Sequence, residues 1–280
     1  MPKFTSTWSL MSTTWKILKA DKRLLAIPFI SGACCLILLA TFVVPLHKTG
    51  SLTSSPDGFI FSQSFSFYAV LFAFYLCNYF VILFFNSIIV ACAANLIRGN
   101  DPSISNGFRM AVAHLPSIFG WALISATVML MLRIIEGTSR SGRRFIASIL
   151  GTLWSVITYL VVPIMVIEGK GPGEAMDESK KLVEKTWGKM VMGDFSFGWI
   201  FFLFMVPALP VIMMIGDPGN GPNFKFLLGG AVIYLIAIAT IQSALQALFH
   251  MVMYFYACDG KVPFNFPRYL VENSVIPHNR

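Results

Sequence analysis

The sequence is poor in charged residues for a chain of 280. Charged side chains make up 12% of it, against about 25% in an ordinary soluble domain. Hydrophobic residues make up 56%, and the mean hydropathy is +0.72. Several apolar runs exceed the roughly 18 residues that a helix needs to cross hydrocarbon. The scarcity of charge therefore excludes a soluble domain and predicts an all-α, polytopic membrane protein.

The sequence also lacks the motifs of common catalytic and metal-binding chemistry. Its five cysteines and four histidines show no metal-ligand spacing, and there is no nucleophile-elbow serine or phosphate-binding glycine loop. We therefore expect no enzyme activity, no cofactor and no metal. The net charge of +8 is dispersed, so we expect no nucleic-acid partner. The expected partners are membrane lipids and either another membrane protein or a second copy of the chain.

The apolar runs predict six spans in three helical hairpins, and a cytoplasmic amphipathic helix precedes each hairpin. The predicted spans cover about residues 24–46, 67–97, 116–132, 145–167, 195–215 and 226–258. The predicted surface helices cover about residues 4–20, 102–113 and 172–189. Pro163 is expected to kink the fourth span. Residues 1–280 are expected to form a single membrane domain.

The distribution of basic residues predicts which side of the membrane each connection faces. With both termini in the cytoplasm, most of the 21 lysines and arginines lie on the cytoplasmic side, as the positive-inside rule requires. The prediction is therefore N-in and C-in, in the bacterial inner membrane.

Two short motifs recur and suggest an internal repeat. Gly99–Pro102 and Gly169–Pro172 open the second and third surface helices, and Phe-Gly-Trp occurs at 119–121 and again at 197–199. Many carriers are built from internal repeats, so the pattern favours transport as an alternative function.

A polar stripe runs along the sixth predicted span. Gln242, Gln246 and His250 follow one another at four-residue spacing, and Asn78 and Asn86 in the second span could lie opposite them. One interpretation is an interior polar site that serves a small-solute or lipid transporter or channel. The other is hydrogen bonding between packed helices.

A basic cluster lies at the predicted outer end of the second hairpin, where the positive-inside rule disfavours it. Its members are Arg133, Glu136, Arg143 and Arg144. They could form a site for an anion or a lipid headgroup, or the arginines could extend to the interface without binding a specific ligand.

The charged island at residues 168–190 separates two predicted spans. Pro172 and Glu174 predict a helix start, and Ala175, Ser179, Leu182 and Val183 share one face. Glu168 is a boundary residue that could pair with a neighbouring lysine. A candidate cytoplasmic docking surface on the same helix comprises Lys180, Lys181, Glu184, Lys185 and Trp187, with Trp187 on the apolar side of the helix.

Three stretches carry a resemblance to a known family. NYFVILFFNSIIVACAANLIRGNDPSISNGFRMA, GWALISATVMLMLRIIEG and VVPIMVIEGKGPGEAMDESKKLVEKTWG resemble a family of uncharacterised bacterial inner-membrane proteins. More distantly, the layout is similar to the membrane domain found with glycerophosphodiester phosphodiesterases, which is not their catalytic part. The resemblance implies location and fold without an activity. The predicted role is a non-enzymatic accessory component that binds lipid or protein.

Overall fold

The structure is a computed structural model that describes residues 23–48, 52–55, 58–61, 65–97, 103–136, 141–213 and 222–259. It is helical apart from one short hairpin of strands and one 3₁₀ turn within these residues. The predicted surface helix at 4–20 lies outside them. The helices are α1 (Arg23–Lys48), α2 (Phe65–Ile97), α3 (Ile104–Ala113), α4 (Leu115–Glu136), α5 (Ser141–Ile157), α6 (Val161–Glu168), α7 (Pro172–Met205), α8 (Leu209–Met213) and α9 (Pro222–Asp259).

Five stretches of helix are long and apolar enough to cross a membrane. They correspond to the predicted spans one to four and six, so the membrane-protein class is supported by length and composition. The predicted fifth span, at 195–215, falls on a shorter apolar stretch, Gly198–Val211. The 3₁₀ turn Val206–Ala208 interrupts that stretch, at Pro207. The six-span count therefore stays a prediction.

Two element boundaries differ from the sequence prediction. The island and the start of the fifth span form one continuous helix, α7, instead of a separate surface helix and span. The connection between the first two predicted spans contains an antiparallel hairpin of strands, β1 (Leu52–Ser55) and β2 (Gly58–Phe61), which was not predicted.

The kink expected from Pro163 is confirmed as a break in the fourth span. Helix α5 ends at Ile157, and α6 begins at Val161 after a turn. A proline ring clashes with the carbonyl four residues before it, here that of Tyr159. The backbone relaxes into bonds of shorter span, from the Tyr159 N–H to the Val156 carbonyl and from the Val161 N–H to the Thr158 carbonyl.

The Cα positions group the chain into two compact units. Unit 1 comprises residues 1–29, 92–104 and 184–280, and unit 2 comprises residues 30–91 and 105–183. The boundaries fall inside α1, α2 and α7 and after the first residue of α3. The prediction of a single domain stays a prediction.

Burial changes along the length of the long helices. In α2, residues 65–82 include none that is buried, whereas every residue from Ser87 to Ala94 is buried. In α9, no described side chain from 226 to 243 is buried, whereas most from 244 to 254 are. A stretch that is buried on all sides is enclosed by protein. Only the less buried part of each helix can therefore face lipid.

The end at which the side chains are more buried alternates between the N-terminal and the C-terminal end from one helix to the next. In α1 it is the first turn, with Leu24 and Ile27, and in α4 it is the first half, with Ile118 and Trp121. In the fourth span the buried part is α6, which follows the more exposed α5, and in α7 it is again the first part.

Candidate functional site

Helices α6 and α7 meet at a tight corner in unit 2. Gly169 ends α6 with φ of +69°, the left-handed conformation that glycine adopts without strain. The Nε2 atom of His114 lies 3.6 Å from the position that a Cβ on Gly169 would take. The ring is held in place because its Nδ1 atom lies 2.8 Å from the carbonyl oxygen of Met110. The corner therefore packs against the junction of α3 and α4.

Ser179 connects α7 to the break in the fourth span. Its hydroxyl donates to the Ile157 carbonyl at 2.6 Å and accepts from the Leu160 N–H at 3.2 Å. Both backbone groups have lost their helical partners, because the Tyr159 and Val161 N–H groups bond elsewhere. Ser179 is completely buried. One side chain of the island thus satisfies both sides of a broken membrane helix.

The predicted apolar face of the island is confirmed in its first part. Ala175, Ser179, Leu182 and Val183 are all buried. On the opposite face, Lys180, Lys181 and Glu184 are exposed, as a docking surface requires. The side chains of Lys185 and Trp187 lie outside the described residues.

Lys170 links the two ends of the corner electrostatically. Its Nζ atom lies 2.7 Å from a carboxylate oxygen of Glu168 and 3.7 Å from one of Glu178. The expected pairing of Glu168 with a nearby lysine is confirmed. The hydrogen bond and charge of Glu168, with a smaller effect of Glu178, raise the pKa of Lys170 above its ordinary value. All three side chains are partly exposed, so solvent screens the pair.

The first turn of α7 is capped from within the corner. The carboxylate of Glu174 accepts a hydrogen bond from the Gly171 N–H at 3.4 Å. Pro172 occupies the first helical position, and its ring lies 3.2 Å from where a Cβ on Gly120 would stand. Gly120 therefore lets α4 approach the start of α7 closely. Beside it, Trp121 stacks on Trp154 with ring centroids 5.6 Å apart.

The sequence was compared with known protein families. Residues 65–264 match the family of unknown function DUF6159. The chain belongs to this family. The match includes α2 to α9 and with them the whole α6–α7 corner, and it confirms the resemblance to an uncharacterised family. No protein of curated function matches the chain.

The predicted polar stripe is divided between the two units of this DUF6159 chain. Asn78 and Asn86 lie in unit 2, while Gln242, Gln246 and His250 lie in unit 1. All five are half-buried. The Asn78 amide donates to the Phe74 carbonyl of its own helix at 3.3 Å. Gln246 and His250 each make polar or electrostatic contacts of their own. A shared polar site stays a prediction.

The predicted outer cluster flanks the connection between α4 and α5. Arg133 is exposed in the last turn of α4, and Glu136 ends that helix. Arg143 and Arg144 lie in the first turn of α5, and helices α4 and α5 pack together. The structure describes the side chain of Arg133 alone among these four. The anion or headgroup site stays a prediction.

No group of three or more His, Cys, Asp or Glu side chains could hold a metal ion within the described part of the chain. The bridging role of Ser179 was missed by sequence reasoning. Its signal was a hydroxyl on an otherwise apolar helix face, opposite a span that a proline must break.

Proposed function

We propose that this protein is a non-enzymatic accessory component of the bacterial inner membrane that binds a protein or lipid partner through the exposed face of α7. The proposal includes six spans with both termini in the cytoplasm. One observation carries it: the charged face of α7 is held by a buried bridge to a membrane helix. Ser179 fixes the helix on one side, while Lys180 and Lys181 remain exposed on the other.

The rigidity of this helix matters for binding. A face that is already ordered loses little conformational entropy when a partner docks, so more of the interaction energy contributes to affinity. The Lys170 pairs and the Glu174 cap hold the same helix at its start. The distant likeness to the membrane domain that accompanies glycerophosphodiester phosphodiesterases fits a module without catalysis.

Site-specific photo-crosslinking tests the proposal. A photoreactive residue at position 181 should give an adduct with one defined protein or lipid. The charge reversals Lys180→Glu and Glu184→Lys should reduce the yield of that adduct. The matched control is the same residue at position 106, exposed on α3. If position 181 yields no defined adduct, or the charge reversals change nothing, the proposal fails.

Transport of a small solute or lipid is the second candidate, because the fourth span is discontinuous. Broken helices in transporters expose backbone groups that bind ions and substrates. Here the Ile157 carbonyl and the Leu160 N–H are occupied by Ser179, which favours a structural joint over an ion site.

The transport candidate requires a route for water to His250. A cysteine at position 250, in a chain whose native cysteines are replaced, should react with a membrane-impermeant maleimide in proteoliposomes. The flux of the transported solute or lipid should also fall in the Gln246→Leu variant. An unreactive position 250 together with unchanged flux would eliminate transport along this stripe.

A further inference from the structure

Helix α3 has three distinct edges around its circumference. The edge that packs against the protein carries only small buried residues, Gly107 and Ala111. At 100° per residue, Phe108 and Val112 lie next to this edge on one side. Phe108 is 51% exposed and Val112 is 41% exposed. Arg109, also exposed, follows about 60° beyond Val112.

Phe108 and Val112 thus face outward, while Gly107 and Ala111 face the protein. A helix in contact with water on all its open sides would show the reverse arrangement, because burying Phe and Val is favourable. An interfacial helix shows the observed order, with an apolar edge toward hydrocarbon and a cationic edge toward the headgroups.

Aromatic contacts fix the position of α3 along the length of α2. Phe108 packs edge-on against Phe84 at 5.7 Å between ring centroids, and Phe80 packs edge-on against Phe119 at 6.1 Å. Phe80 and Phe84 stack in turn at 6.3 Å. These four rings form one aromatic row across α2, α3 and α4, and Phe119 is 49% exposed.

Phe84 lies about 30 Å from the start of α2, because about 20 residues at 1.5 Å each separate it from Phe65. That distance equals the thickness of the hydrocarbon core. Beyond it, every residue from Ser87 to Ala94 is enclosed by protein. The level of Phe84, and of the α3 edge packed on it, is therefore the level of the inner phospholipid headgroups.

We propose that the outer edge of α3 is a phospholipid-binding site. The acyl chain lies against the aromatic row of Phe80, Phe84, Phe108 and Phe119, and the guanidinium of Arg109 binds the phosphate. Guanidinium and phosphate match in charge and geometry, because the planar fork donates two parallel hydrogen bonds. The site is on α3 and does not depend on the proposed partner face of α7.

Spin labelling tests whether α3 lies in the bilayer. Cysteines at positions 112 and 106, in a chain without other cysteines, are labelled in nanodiscs of phosphatidylethanolamine and phosphatidylglycerol. The label at 112 should collide more with oxygen than with a water-soluble nickel complex, and the label at 106 should show the opposite. Equal access of the nickel complex to both would place α3 in water and overturn the proposal.

Lipid titration tests the phosphate contact. The full-length protein in detergent is titrated with short-chain phosphatidylglycerol and retention is followed by native mass spectrometry. Arg109→Gln should weaken binding about tenfold, the equivalent of one lost charge-assisted hydrogen bond. Arg109→Lys should weaken it less. Lys170→Gln removes the same charge from the α6–α7 linker, outside both proposed binding surfaces, and should not change it.

Thermal melting first establishes that these variants fold like the wild type. If Arg109→Gln retains the wild-type affinity, the phosphate contact is absent and the proposal is overturned. A loss in Lys180→Gln but not in Arg109→Gln would assign the lipid to the partner face of α7 instead. The two variants therefore distinguish failure of this inference from failure of the proposed function.

Discussion

Single buried polar atoms determine how the island joins the membrane helices. The Ser179 hydroxyl both donates to Ile157 and accepts from Leu160, in a place where water has no access. A buried backbone group without a hydrogen-bond partner has lost its hydration and gained nothing in return. Removing the partner of such a group therefore costs more free energy than a hydrogen bond contributes on average.

Replacing Ser179 with alanine should destabilise the protein by about 1–3 kcal/mol, because two buried backbone groups lose their partner. The measurement is a thermal or denaturant melt of the purified protein. Ser155→Ala is the matched control, since that hydroxyl is exposed and bonds only to the Gly151 carbonyl of its own helix. Equal effects of the two substitutions would show that the bridge carries no particular stability.

The left-handed backbone conformation of Gly169 leads to a second prediction at the scale of single residues. Alanine at φ of +69° is strained by roughly 1–2 kcal/mol, so Gly169→Ala should lower the melting temperature. Gly173 lies in the first turn of α7 with open space around it, so Gly173→Ala should be neutral or slightly stabilising. A Gly169→Ala protein as stable as Gly173→Ala would contradict the assigned conformation.

At the scale of elements, the α6–α7 corner is a short linker between two helices, and Lys170 in that linker pairs with a carboxylate from each side of it. Because the pKa of Lys170 is raised in the folded state, its pairs add stability below the ordinary lysine pKa. That contribution to stability is lost as the pH rises through the raised pKa of Lys170. The lysine lies in the linker outside the helices, where the solvent can exchange its proton freely.

Lys170→Gln should therefore be slightly less stable than the wild type at neutral pH, and the difference should disappear in strongly alkaline solution. Melts of both proteins across that pH range measure it. Lys180→Gln serves as control, because Lys180 is exposed on the face opposite the corner. A difference between wild type and Lys170→Gln that persists or grows at alkaline pH would refute the pairing.

Sequence reasoning predicted those elements that depend on local chemistry. The break before Pro163 follows from its ring and missing N–H, and the buried face that includes Ala175 and Leu182 follows from helical spacing. The continuity of α7 did not follow, since neither its charges nor its apolar run shows whether a bend separates them. The polar bridge of Ser179 depends on a partner 22 residues away, which spacing cannot locate.

The enclosed end of α2 was also unpredictable, for a different physical reason. Hydropathy records only that Ser87–Ala94 is apolar on average, and lipid and protein interior are equally apolar solvents. The helix is 33 residues and about 50 Å long, so in a 30 Å hydrocarbon core it must either tilt or protrude. The burial shows which end of the helix is enclosed.

At the scale of the whole molecule, the predicted hairpins assign one end of each span to the cytoplasm, and this assignment stays a prediction. The enclosed ends of α1, α2, α4, α6, α7 and α9 are the ends that the positive-inside rule assigns to the cytoplasm. Hydropathy, charge and burial are separate properties of the chain.

Topology provides the decisive test of that arrangement. Cys258 is exposed at the end of α9, and Arg133 is exposed near the far end of α4. In a chain with Cys258 as its only cysteine, a membrane-impermeant maleimide should label inside-out vesicles but not intact spheroplasts. A chain with only the Arg133→Cys thiol should show the reverse, because an odd number of predicted crossings separates the two positions. Labelling of both from one side would exclude the predicted hairpins and, with them, a cytoplasmic position for the exposed face of α7.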